Sequence, residues 1–355
     1  MMAAILLCAA CFGLPAAAAE PVPAVSAGCC VVMDADTGAL LWARHPDTPG
    51  LMASTTKIMT AWLACRAGEP ERPVTIPAEA VGVEGSSLYL KEGEILTRQE
   101  LLLGTLLQSG NDAALALAID VAGSEAAFVE RMNETARALG LQNTRYANPH
   151  GLDQEGNYST ARDLALLTAK ALEDPAFRQA AATRSASVAG DRVLRNHNKL
   201  LWHCPGCIGV KTGYTKAAGR LLVSAAQRLG RTLICVTVND PDDWRDHMAL
   251  YDWGFARYET RDVTEDLQLT VPLLTEPATE IALEAEPLRL FLPKGAELTL
   301  RAELPRFVFP PVRAGETGGL ITVLLDGEEL GKCPLRFAES VPDGAQAPEP
   351  GRRTT

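Results

Sequence analysis

Histidine is scarce in this chain: five among 355 residues, with no His-Glu-x-x-His pair. A catalytic zinc needs about three protein ligands at defined spacing, so a metal-dependent hydrolase finds no ligand set here. No stretch reaches the roughly 20 apolar residues that a helix needs to cross a bilayer, and no segment repeats. Positive charge is also short. Lys and Arg number 33 against 44 Asp and Glu, a formal net charge of −11. An acidic surface argues against nucleic acid or an anionic membrane as the main partner.

Cysteine is too sparse for a disulfide-dense scaffold. Two of the nine lie in the first 19 residues; the other seven are Cys29, Cys30, Cys65, Cys204, Cys207, Cys235 and Cys333. An odd number cannot pair completely. Cys204-Pro-Gly-Cys207 invites a zinc or thioredoxin-like reading, but no second ligand pair has suitable spacing and no helix start follows. A local disulfide or free thiols in a loop is the better expectation.

What is present is a globular composition, 47% hydrophobic and 22% charged, in a chain long enough for two domains. Residues 1–19 form a short apolar run ending in small residues and read as a secretory signal peptide cleaved near Ala19, which implies an exported protein. No Lys or Arg precedes that apolar run. Residues 20–261 read as one mixed α/β domain, 262–339 as a small β-sandwich of short apolar alternations, and 340–355 as a polar, Pro-rich, disordered tail without a membrane anchor.

Within the first domain, Cys29 to Arg44 reads as a hairpin and Ser54 to Ala67 as a helix. Residues 98–122 read as two helical pieces broken at Ser109-Gly110. Thr160 and Asp163 look like a capping box opening a further helix. Leu221–Ala226 and Thr232–Val238 read as paired strands, and Asp243 to Tyr258 as an amphipathic helix.

Three short motifs carry chemistry: Ser54-Thr-Thr-Lys57, Ser109-Gly-Asn111 and Lys211-Thr-Gly213. Each alone is common; their joint occurrence in this order is specific. Ser54 and Lys57 are three apart, so on a helix they share a face. A hydroxyl needs a base to become a nucleophile. Lys57 serves only when neutral, which burial and a second cation such as Lys211 favour. The helix start supplies free N–H groups for an oxyanion. Asn111 can orient Lys57 and bond a substrate amide, Ser109 can pass a proton to the leaving group, and Gly213 leaves room for a substrate backbone.

Together with Asn148-Pro-His-Gly-Leu152 and Gly209-Val-Lys-Thr-Gly-Tyr-Thr215, these segments resemble the low-molecular-mass penicillin-binding proteins of the serine D-alanyl-D-alanine carboxypeptidase family. The resemblance implies a penicillin-binding/β-lactamase-like transpeptidase fold: a five-stranded antiparallel sheet, a helical lobe, and a β-rich C-terminal domain. It implies that Ser54 is acylated by the penultimate D-Ala of a peptidoglycan stem peptide, or by β-lactam antibiotics as covalent inhibitors, with no cofactor and no metal. The backbone N–H groups of Ser54 and Tyr214 would then form the oxyanion hole, and Lys211, Thr212 and Thr215 would hold the terminal carboxylate.

Two departures stand out. Some members grip that carboxylate with an arginine before the last helix, where this chain offers only Arg245. Many end in a membrane-binding helix, which this tail lacks. Two rival readings share the fold. A class A β-lactamase needs a separate glutamate for deacylation, and Glu155 is the residue in the corresponding region. A non-catalytic peptidoglycan-binding protein would be expected to have lost a motif.

Overall fold

The structure, a computed structural model, describes residues 2–8, 21–190, 192–228, 230–275 and 278–343. The expected cleavage site at Ala19 and residues 344–355 of the expected tail lie outside the described residues. Two compact units form. One is Pro21–Ala256; the other starts at Arg257 and takes in the N-terminal residues. The boundary expected at 261/262 moves because Tyr258–Asp262 pairs with Arg289–Pro293 and so belongs with the C-terminal strands.

The first unit is built on a five-stranded antiparallel sheet. Its strands are β1 (Cys29–Asp34), β2 (Leu40–Arg44), β3 (Cys207–Thr215), β4 (Gly219–Arg228) and β5 (Arg231–Val238), in the order β2-β1-β5-β4-β3. The central strand β5 is buried along nearly its whole length, which is why it reads as a continuous apolar run rather than an alternation. Ile234 and Val236 enter the main core, together with residues of α1 (Lys57–Arg66) and α5 (Ala161–Leu172). On the opposite face His247 of α8 (Asp243–Arg257) bonds Thr237 and Ser224, and Gly254 lies so close that a Cβ would stand 2.9 Å from Leu233.

Four more helices complete this unit's lobe: α2 (Arg98–Leu107), α3 (Asn111–Ala122), α4 (Glu125–Ala138) and α6 (Pro175–Ala182). Their starts follow local chemistry. Thr97 and Glu100 form a reciprocal capping box, Ser124 caps α4, and Asp174 caps α6 ahead of Pro175. The box expected at Thr160 and Asp163 is half present. Thr160 Oγ1 accepts from the Asp163 N–H, but the Asp163 carboxylate turns away to bond Asn143 N and Thr144 Oγ1 at 2.9 and 2.7 Å.

Among its described residues the second unit is built of strands: a six-stranded sheet and a separate two-stranded ribbon. Thr299–Pro305, Thr317–Leu325 and Glu328–Phe337 are consecutive antiparallel neighbours, and Met2–Cys8 lies along the free edge of Thr299–Pro305. Part of the segment expected to be a leader is therefore an edge strand in this structure. Alternate residues Leu300, Ala302 and Leu304 are buried, the period-two pattern of a sheet with one covered face.

Candidate active site

Ser54 does not open an α-helix directly. It sits in a 3₁₀ turn, Ala53–Thr56, that runs into α1 at Lys57. Ala53 enters that turn at φ 44°, a left-handed conformation unusual for alanine. Two glycines make this tight entry possible. A Cβ on Gly151 would stand 1.8 Å from Ala53 O, and one on Gly213 would press on Met52 O, Thr55 Cγ2 and Ala53 Cβ at 3.2–3.3 Å. The backbone that Gly213 makes room for is therefore the Ser54 turn of the protein itself, where the sequence alone suggests a substrate backbone.

Lys57 is fully buried. Its ammonium donates to Ser54 Oγ at 3.2 Å, Asn111 Oδ1 at 2.6 Å and the carbonyl of His150 at 2.5 Å. Burial, then the charge of Lys211, hold it well below the ordinary lysine range, against an opposing pull from Asp112. Lys211 is buried too, donates to Thr212 O at 2.9 Å, and is pushed down to about 7 by burial. The buried amine of Lys57 thus stands at the serine hydroxyl, with burial and a second lysine both disfavouring its charge.

Ser109 occupies the break between α2 and α3 at φ 61°, again left-handed. Backbone strain of this kind costs on the order of 1–3 kcal/mol and gathers at functional sites. Its Oγ is buried, lines the cavity, and has no hydrogen-bond partner among the described residues. That hydroxyl is available for a ligand atom.

The open cavity beside Ser54 measures about 900 Å³. Ser54, Ser109, Thr212, Gly213 and Tyr214 line it. Thr215 is placed differently: its hydroxyl bonds Asp153 Oδ1 at 3.0 Å and caps Ala218 N, so it is engaged within the protein. Glu155 is exposed in a turn and does not line the cavity, which leaves the β-lactamase reading without its glutamate there.

Three contributions are given no role by the sequence alone. Asp112, one residue past Asn111, is buried and bonds Ser87 Oγ and the N–H groups of Leu88 and Leu90. It pins the segment that brings Ser86 to the cavity wall. The 148–152 loop is the second. Asn148 Oδ1 accepts from His150 N and Gly151 N, and this turn aims the His150 carbonyl at Lys57. Third is Arg220 on β4, which lines the cavity and pairs with both carboxylate oxygens of Asp243 at 2.9 Å, its guanidinium 5.8 Å from the Trp244 ring centre. Arg245 instead pairs with Asp242 and Asp246, away from the cavity lining. The sequence held a signal for Arg220 only in its position on the strand next to Lys211-Thr-Gly.

Comparisons with known proteins show the family and the fold. The family described as D-alanyl-D-alanine carboxypeptidase matches residues 16–242. The D-alanyl-D-alanine carboxypeptidase DacF of Bacillus subtilis is 30% identical over 329 residues, covering 88% of this chain and 85% of DacF. DacC of Escherichia coli is 33% identical over 345 residues, covering 91% and 86%. Among solved structures, penicillin binding protein 5 from Haemophilus influenzae aligns with a TM-score of 0.72 at 30% identity, over 90% of this chain and 99% of that one. Penicillin binding protein 6B from Escherichia coli aligns at 0.73 and 28%, over 91% and 98%.

Proposed function

The chain belongs to the D-alanyl-D-alanine carboxypeptidase family and is a serine-type enzyme of that activity, and from this premise we propose how its residues divide the work. Ser54 is the nucleophile and Lys57 the base. As Ser54 Oγ attacks the carbonyl of the penultimate D-alanine, Lys57 Nζ takes the hydroxyl proton. The backbone N–H groups of Ser54 and Tyr214 receive the oxyanion. Collapse breaks the amide bond, and Ser109 Oγ relays a proton to the departing amine of terminal D-alanine. Water, deprotonated by the same lysine, then hydrolyses the ester and restores Ser54. A β-lactam enters the same path, but its leaving group stays tethered after ring opening, so the acyl-enzyme persists.

The single observation that carries this assignment is the buried Lys57 amine within 3.2 Å of Ser54 Oγ, its charge opposed by burial and by Lys211. Thr212 and Arg220 line the cavity and supply its polar and cationic side for the substrate's terminal carboxylate, and the buried Lys211, bonded to Thr212 O, adds its charge; Arg220 takes the part that some family members give to an arginine before the last helix. We assign the substrate as a peptidoglycan stem peptide and the compartment as extracytoplasmic, the latter on the apolar leader-like segment. Among the described residues no helix is long and apolar enough to cross a membrane.

Labelling with a fluorescent penicillin tests the nucleophile. Ser54→Ala should lose labelling and D-alanine release by about a thousandfold or more, with an unchanged circular dichroism spectrum. Labelling of the variant at the wild-type rate would remove Ser54 from the role.

A further inference from the structure

Cys204-Pro-Gly-Cys207 is not used by the proposed chemistry, yet its geometry is specific. The Cys207 N–H donates to Cys204 O at 3.1 Å, which closes a four-residue β-turn with Pro205 and Gly206 at its centre. Gly206 adopts φ 78°, and a Cβ there would lie 2.2 Å from Gln227 O. Only glycine fits, and proline before it matches the turn that needs such a residue. The turn is also clamped to β4 from outside: Gln227 N donates to Gly206 O at 2.8 Å and Arg228 Nε to Pro205 O at 3.2 Å. The two cysteines at its ends are thus held within about 7 Å between Cα atoms, the range a disulfide spans.

A second pair offers a contrast. Cys30 and Cys235 are buried on neighbouring strands, but the register sets Cys30 opposite Thr237 and Cys235 opposite Val32. They are diagonal neighbours whose thiols reach one another, but that placement, at about 7–8 Å between backbones, is longer than the usual disulfide span.

We propose that Cys204 and Cys207 form a disulfide-forming thiol pair that closes the turn between α7 (Leu200–His203) and β3. The turn joins two walls of the cavity: Trp202 and His203 precede it, and Thr212 to Tyr214 follow it on β3. Both thiols are free in the structure, and oxidation would tie them through one covalent ring. The reaction is thiol–disulfide exchange with a small or protein disulfide. One cysteine, as thiolate, attacks a sulfur of the oxidant and releases one thiol as a mixed disulfide forms; the other cysteine, losing its proton, displaces the second thiol. Two protein thiols are oxidised by two electrons and one external disulfide is reduced to two thiols. Burial raises both thiols, Cys207 up to about 12, so exchange is slow, and slow exchange suits a bond made once and kept.

That the oxidant is met in the cell rests on the proposed export, so the test is made on purified full-length enzyme. Trypsin should release residues 200–211 as one peptide carrying both cysteines, since Lys199 and Lys211 flank it. After incubation with oxidised glutathione, that peptide should be 2 mass units lighter (two hydrogens lost) and resistant to iodoacetamide; after dithiothreitol it should take two labels. Cys204→Ser and Cys207→Ser should each stop at a mixed disulfide with glutathione on the remaining cysteine. Double alkylation after oxidation, a glutathione adduct that persists on the wild-type peptide, or a disulfide found only between Cys30 and Cys235 would overturn the proposal. Acid-trapping the pair in exported protein then tests the compartment separately.

Discussion

The two units of this chain treat buried charge in opposite ways. Pro21–Ala256 buries Lys57 and Lys211 and several aspartates, including Asp112 and Asp243. The unit beginning at Arg257 buries no charged side chain among its described residues; Thr264 and Thr322 are its buried polar ones. Placing charge in a low-dielectric interior costs stability, and natural cores avoid it without a reason. In the first unit the reason is chemical. A lysine kept from charge, a second buried lysine whose charge opposes it, and a serine hydroxyl left without a partner suit the acyl transfer proposed above. The second unit has a plain apolar core of Ile321, Val323, Leu335 and their neighbours, and its signature is structural.

Breaking the first unit's arrangement should have the largest effect at Lys57. Lys57→Arg keeps a cation but cannot lose a proton. Penicillin acylation and peptide turnover should fall by about a thousandfold or more; a loss under tenfold in stopped-flow acylation would mean another group is the base. Asn111→Ala removes the side chain that holds Lys57 at 2.6 Å. By the usual cost of one positioned hydrogen-bonding group, kcat/KM for a D-Ala-D-Ala peptide should drop by roughly a hundredfold.

Lys211 should act through charge and pH. Its buried amine is pushed down to about 7, so the carboxylate-binding cation is lost as pH rises through that value. The alkaline limb of a kcat/KM profile should lie near there, while the acid limb belongs to charging of Lys57; the coupled pair titrates as a unit. Lys211→Arg should cost no more than about tenfold at neutral pH and move the alkaline limb upward, arginine staying charged. An unmoved limb would dissociate it from Lys211. The stability consequence has a definite sign. Between about 7 and 10.5 the unfolded chain binds the proton that native Lys211 lacks, so this residue makes stability rise with pH across that window. Replacing Lys211 with Met should flatten that rise in urea titrations.

The smallest effect on activity should come from the other unit. Ile321 is buried in its separate core. Ile321→Ala should destabilise that core by about 2–5 kcal/mol, seen as an earlier calorimetric transition. Acylation by penicillin should stay within about twofold. A large loss of acylation would show that the two units share more than a chain.

Much of the site was legible because its chemistry is local. Ser54 and Lys57 lie one turn apart, and Ser109-Gly110-Asn111 marks its own break between α2 and α3. The five sheet strands were partly visible as apolar runs, β5 most clearly, because a strand buried on both faces leaves a continuous hydrophobic trace. The half-formed cap at Thr160 was read too generously, since spacing alone does not say where an aspartate points. Arg245 is the only arginine near the start of the last helix, yet Asp242 and Asp246 claim it, and Arg220 reaches the cavity from β4.

By itself the sequence determined which candidate reacting groups are present, their order and the class of fold, because residue identity sets what a side chain can donate, accept or release. Tertiary structure alone decided which groups meet. Residues 54, 111, 150 and 211 converge only when α1, α3, the 148–152 loop and β3 pack together, and the low proton affinity of Lys57 exists only once water is excluded around it. Burial and long-range proximity are properties of the folded chain, and no short window of sequence contains them.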